Sequence, residues 1–282
     1  MKIASAQFEG QQRIVVCADG QNRWRVLQAR PTVDVNCVKT LIESAASIDD
    51  DFTFTQEVSG EDLKFLCPIR SPEKIICVGK NFADHAREMG GEKPELPVIF
   101  NKLPTCLIGF DDEIVLPGIS SKVDYEAELV VVIGKSARNV QQADAMQHVF
   151  GFCIGNDVTA RDWQKGRPGG QWLLGKAFDT FGPLGPYIVT ADEIPDPHKL
   201  GIELKLNGEV MQSGNTSNLI FPIDFLISHI SKFFTLNPGD LLFTGTPAGV
   251  GAGRTPEVYL KPGDTVEITI SGLGNLRNHV VQ

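Results

Sequence analysis

"DYEAELVVVI", residues 124–133, has the Val, Ile, Leu and Tyr content of a strong β-strand, yet it carries two glutamates. Glu126 and Glu128 are two positions apart, so on a strand both point to one face. That face continues as Val130 and Val132, which puts the carboxylates at one end of an apolar surface, where an uncompensated charge is costly. The arrangement demands a partner that the rest of the chain has to supply.

Around this strand most segments read as strands too. "PVIFNK", "EIVLP", "VFGFCIG", "GPYIVT", "IELKLNGEVM", "DLLFTG" and "DTVEITISG" are short β-prone runs between turn residues. Asn207-Gly208 is a hairpin signal, because both residues tolerate positive φ, and "PGD" at 238–240 and at 262–264 each launches a further strand. One long helix is expected in "FPIDFLISHISKFF". Pro222 stands near its start, Ile223, Leu226, Ile227, Ile230, Phe233 and Phe234 form its apolar stripe, and His229 is read as structural. Residues 1–68 hold the β-like runs "KIASAQF", "RIVVCAD" and "RWRVL" and then the helical "VNCVKTLIESAAS", which predicts a small N-terminal α/β accessory domain. "CPIRSPEK", 67–74, with two prolines and no periodicity, marks the boundary to a β-rich α+β main domain over 69–282, opened by the buried strand "KIICVGKN".

A composition of 42% hydrophobic and 22% charged residues, without an apolar run near the roughly 18 residues of a membrane span, argues against disorder and against a spanning helix. The net charge of −9 argues against nucleic acid or an anionic membrane as partner, and any anionic small substrate needs local positive charge. Six scattered cysteines without a C-x-x-C pair read as reduced thiols rather than disulfides or a zinc site. "MKIASAQFEG" lacks the pattern of a secretory or transit segment, so a cytoplasmic location is expected.

The chemistry-bearing residues cluster around the opening strand. The later apolar strand "VFGFCIG" is followed by Asn156-Asp157, and three carboxylates from two strand ends, without nearby Cys or His pairs, suit a hard divalent cation: Mg²⁺, Mn²⁺ or Ca²⁺. Such a cation would compensate Glu126 and Glu128. Asp157 is expected to begin a helix that places Arg161 and Gln164 on its own face, combining an acid, an anion-binding fork and an amide. "GKNFADHAREMGG" sets His85 and Glu88 at i, i+3 on a short helix ending at Gly90-Gly91, a carboxylate beside an imidazole as a general base needs. Lys176 stands in the apolar run "QWLLGKAFDTFGPLGP" and requires an anionic partner or a lowered pKa. "TGTPAGVGAG", 244–253, offers backbone N–H groups to an anion, but without the ending of a phosphate loop it is read as a pocket wall. Each feature alone also fits an ordinary solvated pair or a wall segment.

Taken in order, "GKNFADHAREM", "DYEAELVVVIGK", "GNDVTARDWQ", "LGKAFDTFGPLGP", "LNGEVMQSGNTSNLIF" and "PGDLLFTGTPAGVG" resemble the fumarylacetoacetate hydrolase superfamily over roughly residues 70–282. "KAFDTFGPLGP" and the N-terminal domain resemble its domain-containing protein 2 subgroup in particular. The resemblance implies a mixed β-sandwich roll that dimerises, with Glu126, Glu128 and Asp157 binding Mg²⁺ or Mn²⁺. It further implies His85 and Glu88 as a catalytic dyad, Lys176 polarising the substrate, and Arg161, Gln164 and Thr246 facing it. The implied substrate is a 2-oxo acid, oxaloacetate-like or acylpyruvate-like, whose enolate charge the metal stabilises, leading to tautomerisation, decarboxylation or C–C hydrolysis. Two rivals stand beside this reading: isomerase or hydratase action on 2-hydroxyhepta-2,4-diene-1,7-dioate in aromatic breakdown, and a metal-stabilised binding module without turnover. A binding module has no need of His85, Glu88 and Lys176 beside the metal. At "VGKN" the chain departs from hydrolases proper, which carry a fourth carboxylate ligand upstream of their histidine, so fumarylacetoacetate hydrolysis itself is not implied.

Overall fold

The strand Ala127–Ile133 lies inside a mixed twelve-stranded sheet, and all seven of its residues are buried. Burial on both faces explains why it reads as a continuous apolar run instead of alternating. The computed structural model describes residues 1–17, 22–29, 37–44, 51–88, 90 and 92–282. From Ala127–Ile133 the sheet runs one way through Val149–Asn156, Gly182–Thr190, Lys2–Phe8, Gln11–Cys17, Arg23–Ala29 and Phe52–Ser59. The other way it runs through Leu241–Phe243, Ile75–Gly79 and Val98–Lys102. A five-stranded sheet, ordered Glu209–Asn215, Gly201–Leu206, Thr265–Ile270, Gly274–Val281 and Glu113–Val115, packs across the strands at 127–133, 149–156 and 182–190. This is the β-rich, mixed sandwich architecture that the sequence predicts.

Several local expectations hold for the reasons given. Asn207 and Gly208 turn the hairpin at φ 53° and 84°, and Gly239 and Gly263 of the two "PGD" turns take φ 85° and 92°. The N-terminal runs form Lys2–Phe8, Gln11–Cys17 and Arg23–Ala29, followed by the helix Val38–Ser44. Parts of "RIVVCAD" and "VNCVKTLIESAAS", and Gly91 at the expected helix end, lie outside the described residues. Lys2–Phe8 pairs with Gly182–Thr190 through Lys2 and Ile3, so these strands extend the main sheet. They also have an apolar cluster of their own, in which Trp24 meets Phe65 and Tyr187.

Two expectations are corrected. The helix spans Ile223–Ser231 and ends before the two phenylalanines, so Phe233 and Phe234 are exposed while Ile223, Leu226, Ile227 and Ile230 are buried. His229 stacks on Phe225 and meets the Phe233 ring at a tilt. Asp157 begins no helix: its N–H donates to the Glu126 carbonyl at 2.9 Å and its carbonyl accepts from Thr159 Oγ1 at 2.8 Å. With both backbone groups engaged, the chain stays extended through Thr159–Ala160, which pairs with Val123–Asp124, and the helix starts only at Arg161.

The register between Ala127–Ile133 and Val149–Asn156 positions the acids. Ala127 faces Asn156 and Glu128 faces Gly155, so Glu126 and Asp157 meet at the same strand ends. Gly155 permits this close pairing, because a Cβ there would lie 2.6 Å from both the Phe243 ring and Val130 Cγ2. Gly155→Ala is therefore expected to destabilise the protein by about 1–3 kcal/mol through overpacking. Urea unfolding checks this as a lower midpoint at unchanged slope.

Candidate active site

Oxygen atoms of Glu126, Glu128 and Asp157 lie within 4.8 Å of one another, and all three side chains are buried. One ion with ligand distances of about 2.0–2.6 Å can bridge oxygens so spaced. The chain's own cations take part of the charge. Lys176 Nζ donates to Glu126 Oε2 and Asp157 Oδ2, at 2.6 Å each. Lys102 Nζ reaches Asp157 Oδ1 at 2.7 Å and the carbonyls of Val158 and Lys176. Arg161 contacts Glu126 Oε1 at 2.7 Å and Asp124 Oδ2 at 2.8 Å.

The two glutamates of the opening stretch thereby acquire opposite characters. Burial opposes ionisation of Glu126, but Lys176 and then Arg161 outweigh it and hold its carboxyl far below the usual range. Glu128 contacts no cation among the described residues, and its Oε2 accepts from the Gly245 N–H at 2.7 Å. Burial, with Asp157 and Glu126 adding repulsion, pushes its carboxyl well above the ordinary value. Burial alone would lower the Lys176 pKa, yet Asp157 and Glu126 reverse the sign and keep it protonated. Lys176 is thus an electrostatic group rather than a base. Asp124, Glu126, Glu128 and Asp157 against Lys102, Arg161 and Lys176 leave one negative charge over, on a donor set of oxygens alone, which fits a hard divalent cation.

The glycine-rich loop has a different task from cradling a foreign anion. Its N–H groups serve three carboxylates of the protein: Gly245 donates to Glu128, Gly249 to Glu88 at 2.8 Å, and Gly251 and Ala252 to Asp124 at 2.7 and 3.1 Å. Gly253 must lack a side chain, since a Cβ would fall 2.5 Å from Glu88 Cδ. Glu88 Oε2 in turn lies 3.2 Å from His85 Nδ1, which gives the imidazole a fixed orientation.

A cleft brings these groups together, lined by His85, Glu126, Glu128, Arg161, Gln164, Lys176 and Thr246 among others. Glu88 and Asp157 stand behind it, through His85 and Lys176 respectively. Arg161 pairs with Asp124 and Glu126, and it shares no helical face with Asp157, which lies outside its helix. Its Nη1 donates to Gln164 Oε1 at 3.1 Å. Thr246 Oγ1 accepts from the buried Gln212 Nε2 at 2.7 Å. Sequence reasoning missed Asp124, Lys102 and Gln212. Lys102 carried the signal used for Lys176, a lysine closing an apolar strand, whereas Gln212 carried none.

Residues 74–281 match the family described as fumarylacetoacetate (FAA) hydrolase, C-terminal. The chain belongs to this family. It is 52% identical over 220 residues to the protein named oxaloacetate tautomerase FAHD2A, mitochondrial, of Bos taurus, covering 78% of this chain and 70% of that one. Among solved structures it resembles the fumarylacetoacetate hydrolase of Exiguobacterium antarcticum, with a TM-score of 0.87 and 36% identity over 100% of this chain and 99% of that one. It also resembles the 2-hydroxyhepta-2,4-diene-1,7-dioate isomerase of Mycobacterium marinum, with a TM-score of 0.80 and 35% identity over 100% and 98% of the two chains. As a member of this family the chain is an enzyme, which removes the binding-module reading. The expected cytoplasmic location does not stand either, since the Bos taurus relative is named as mitochondrial. A compartment is set by targeting information and not by the folded domain, so the first ten residues did not decide it.

The charge arrangement predicts opposite responses within one cluster. Without metal, Glu128→Gln keeps the Gly245 hydrogen bond and relieves the repulsion from Asp157 and Glu126, so stability stays level or rises, and the Tm rise with Mg²⁺ expected of the wild type should be absent. Lys176→Met removes the ammonium shared by Glu126 and Asp157, which keep only Arg161 and Lys102 respectively, and costs about 3–5 kcal/mol. Urea unfolding in chelator and in Mg²⁺ reads both, and a Glu128→Gln protein losing several kcal/mol without metal contradicts the assignment.

Proposed function

We propose that this chain is a Mg²⁺- or Mn²⁺-dependent tautomerase of a 2-oxo acid of the oxaloacetate kind. Glu126, Glu128 and Asp157 would hold the metal, His85 would move the proton, and Arg161, Gln164 and Thr246 would bind substrate. The observation carrying this reading is that the acid cluster, the protonated Lys176 and the Glu88-oriented His85 meet at one cleft. The name of the Bos taurus relative supports the choice of substrate. The same reading takes the assembly as a homodimer. It also takes residues 1–68 as an accessory domain beside a catalytic domain of 69–282, a division supported by the family match beginning at residue 74.

When bound, the divalent cation supplies Lewis-acid stabilisation to the substrate's carboxylate and keto oxygens. Lys176 has three N–H donors, of which Glu126 and Asp157 use two, and the third is left for the oxygen on which negative charge develops. With Nδ1–H directed at the Glu88 carboxylate, His85 keeps the Nε2 lone pair free to take a proton from C3 of the substrate. Returning that proton to the keto oxygen completes the keto-to-enol exchange without net change of atoms. Because the Thr246 hydroxyl accepts from Gln212, its own hydrogen is available to the substrate. The second hydrogen of Arg161 Nη1 is similarly unused by Gln164. Phe100 and Trp172, edge to face at 5.2 Å, form an apolar wall that limits water near the transferred proton.

His85→Ala is expected to lower the rate of Mg²⁺-dependent keto–enol exchange of oxaloacetate by about 10²–10⁴-fold. Its Mg²⁺-induced rise in Tm and its binding of oxalate should persist. Glu88→Gln, which keeps a hydrogen bond to Nδ1, should lose less. Absorbance of the enol, followed in metal-checked protein, decides: near-normal turnover in His85→Ala places the base elsewhere.

A further inference from the structure

The cleft has a cationic mouth that the proposed reaction leaves unused. Lys80 and Lys165 line the same space as Glu126, Glu128 and His85 but stand where it opens, Lys80 half-buried and Lys165 exposed. Neither ammonium has a carboxylate partner among the described residues, unlike Lys102 and Lys176 inside the site. The only acids lining the cleft are Glu126 and Glu128, both deep within it. In a chain of net charge −9, two unpaired lysines at one opening are a local reversal of sign.

Their backbones are held in place. Lys80 takes a left-handed φ of 55° directly after the strand Ile75–Gly79. The next residue, the buried Asn81, donates to the carbonyls of Phe221 and Thr244 at 3.1 and 2.7 Å and accepts from the Phe221 N–H. Lys165 closes the helix Arg161–Gln164, its N–H donating to the Arg161 carbonyl at 3.1 Å. Its ammonium end is partly shielded. That shielding first, and then the positive charges of Arg161 and Lys80, hold its pKa below the ordinary lysine value. All three cations line the one cleft.

We propose that Lys80 and Lys165 form a specificity clamp for a second carboxylate, at the substrate end away from the metal ligands, so that the site selects dicarboxylates over monocarboxylates that share the same 2-oxo or 2-hydroxy acid head. The proposal rests on the tautomerase reading for the orientation of the substrate, and it adds which tail the site accepts. A carboxylate lying between the two ammonium groups completes their charge pairing at an opening where water has otherwise to serve. Part of the attraction is exposed and thus screened by salt.

The test uses full-length Mg²⁺-loaded protein and calorimetric binding of two non-reacting probes, malate with two carboxylates and lactate with one. Wild type should prefer malate, and the preference should shrink as salt is raised. Lys80→Gln combined with Lys165→Gln should reduce the malate-to-lactate affinity ratio roughly ten- to hundredfold, the range of a charge-assisted hydrogen bond. Each single variant should show part of the loss, and Lys165→Arg should restore it over Lys165→Gln. A malate preference that survives in the double variant, or an equal loss for both probes, overturns the clamp. Failure of wild type to exchange oxaloacetate while the lysine-dependent preference remains overturns the tautomerase reading and leaves the clamp standing.

Discussion

Lys176 bridges Glu126 and Asp157 at 2.6 Å on each side, within a strand end closed to water. The pairing is possible because one register brings those two acids together: Ala127 opposite Asn156, with the Asp157 N–H on the Glu126 carbonyl. A slip of one residue would turn the acids to opposite faces of the sheet and leave a buried ammonium alone. The apolar run Leu129–Ile133, paired on both sides, fixes the register, so the most hydrophobic part of the chain determines where its charges sit.

From this pairing follows the division of labour among the acids. Glu126 is held ionised by Lys176 and Arg161, and Asp157 pairs with Lys102 and Lys176, whereas Glu128 has a single backbone donor and no cation in contact among the described residues. Chemically similar side chains two residues apart thus differ through their neighbours alone. A cation entering the cluster would meet Glu126 and Asp157 already oriented by the protein's own ammonium groups and Glu128 held by the Gly245 N–H.

Much of this was legible in the amino-acid order. Period-two spacing put Glu126 and Glu128 on one face, helical spacing put Glu88 beside His85, and Lys176 in an apolar run announced a buried partner. What was not legible depended on contacts between distant segments. Asp124, the first residue of the decisive stretch, was passed over although the same period-two spacing groups it with the glutamates, and it anchors Arg161 and two loop amides. The shared helical face of Asp157, Arg161 and Gln164 did not form because helical spacing was applied to a residue whose backbone is tied into a strand. Phe233 and Phe234 followed a periodicity that ended with the helix at Ser231.

The loop from Gly245 to Ala252 binds Glu128 of the acid cluster, Glu88 behind the imidazole and Asp124 beneath the arginine. Three groups with separate tasks hang from one short chassis. Any drift of that segment carries them as a set, preserving their mutual spacing. The facing wall, with Gln164, Lys165 and Trp172, belongs to another stretch of chain. A change in that second wall leaves the loop's hydrogen bonds to Glu128, Glu88 and Asp124 in place.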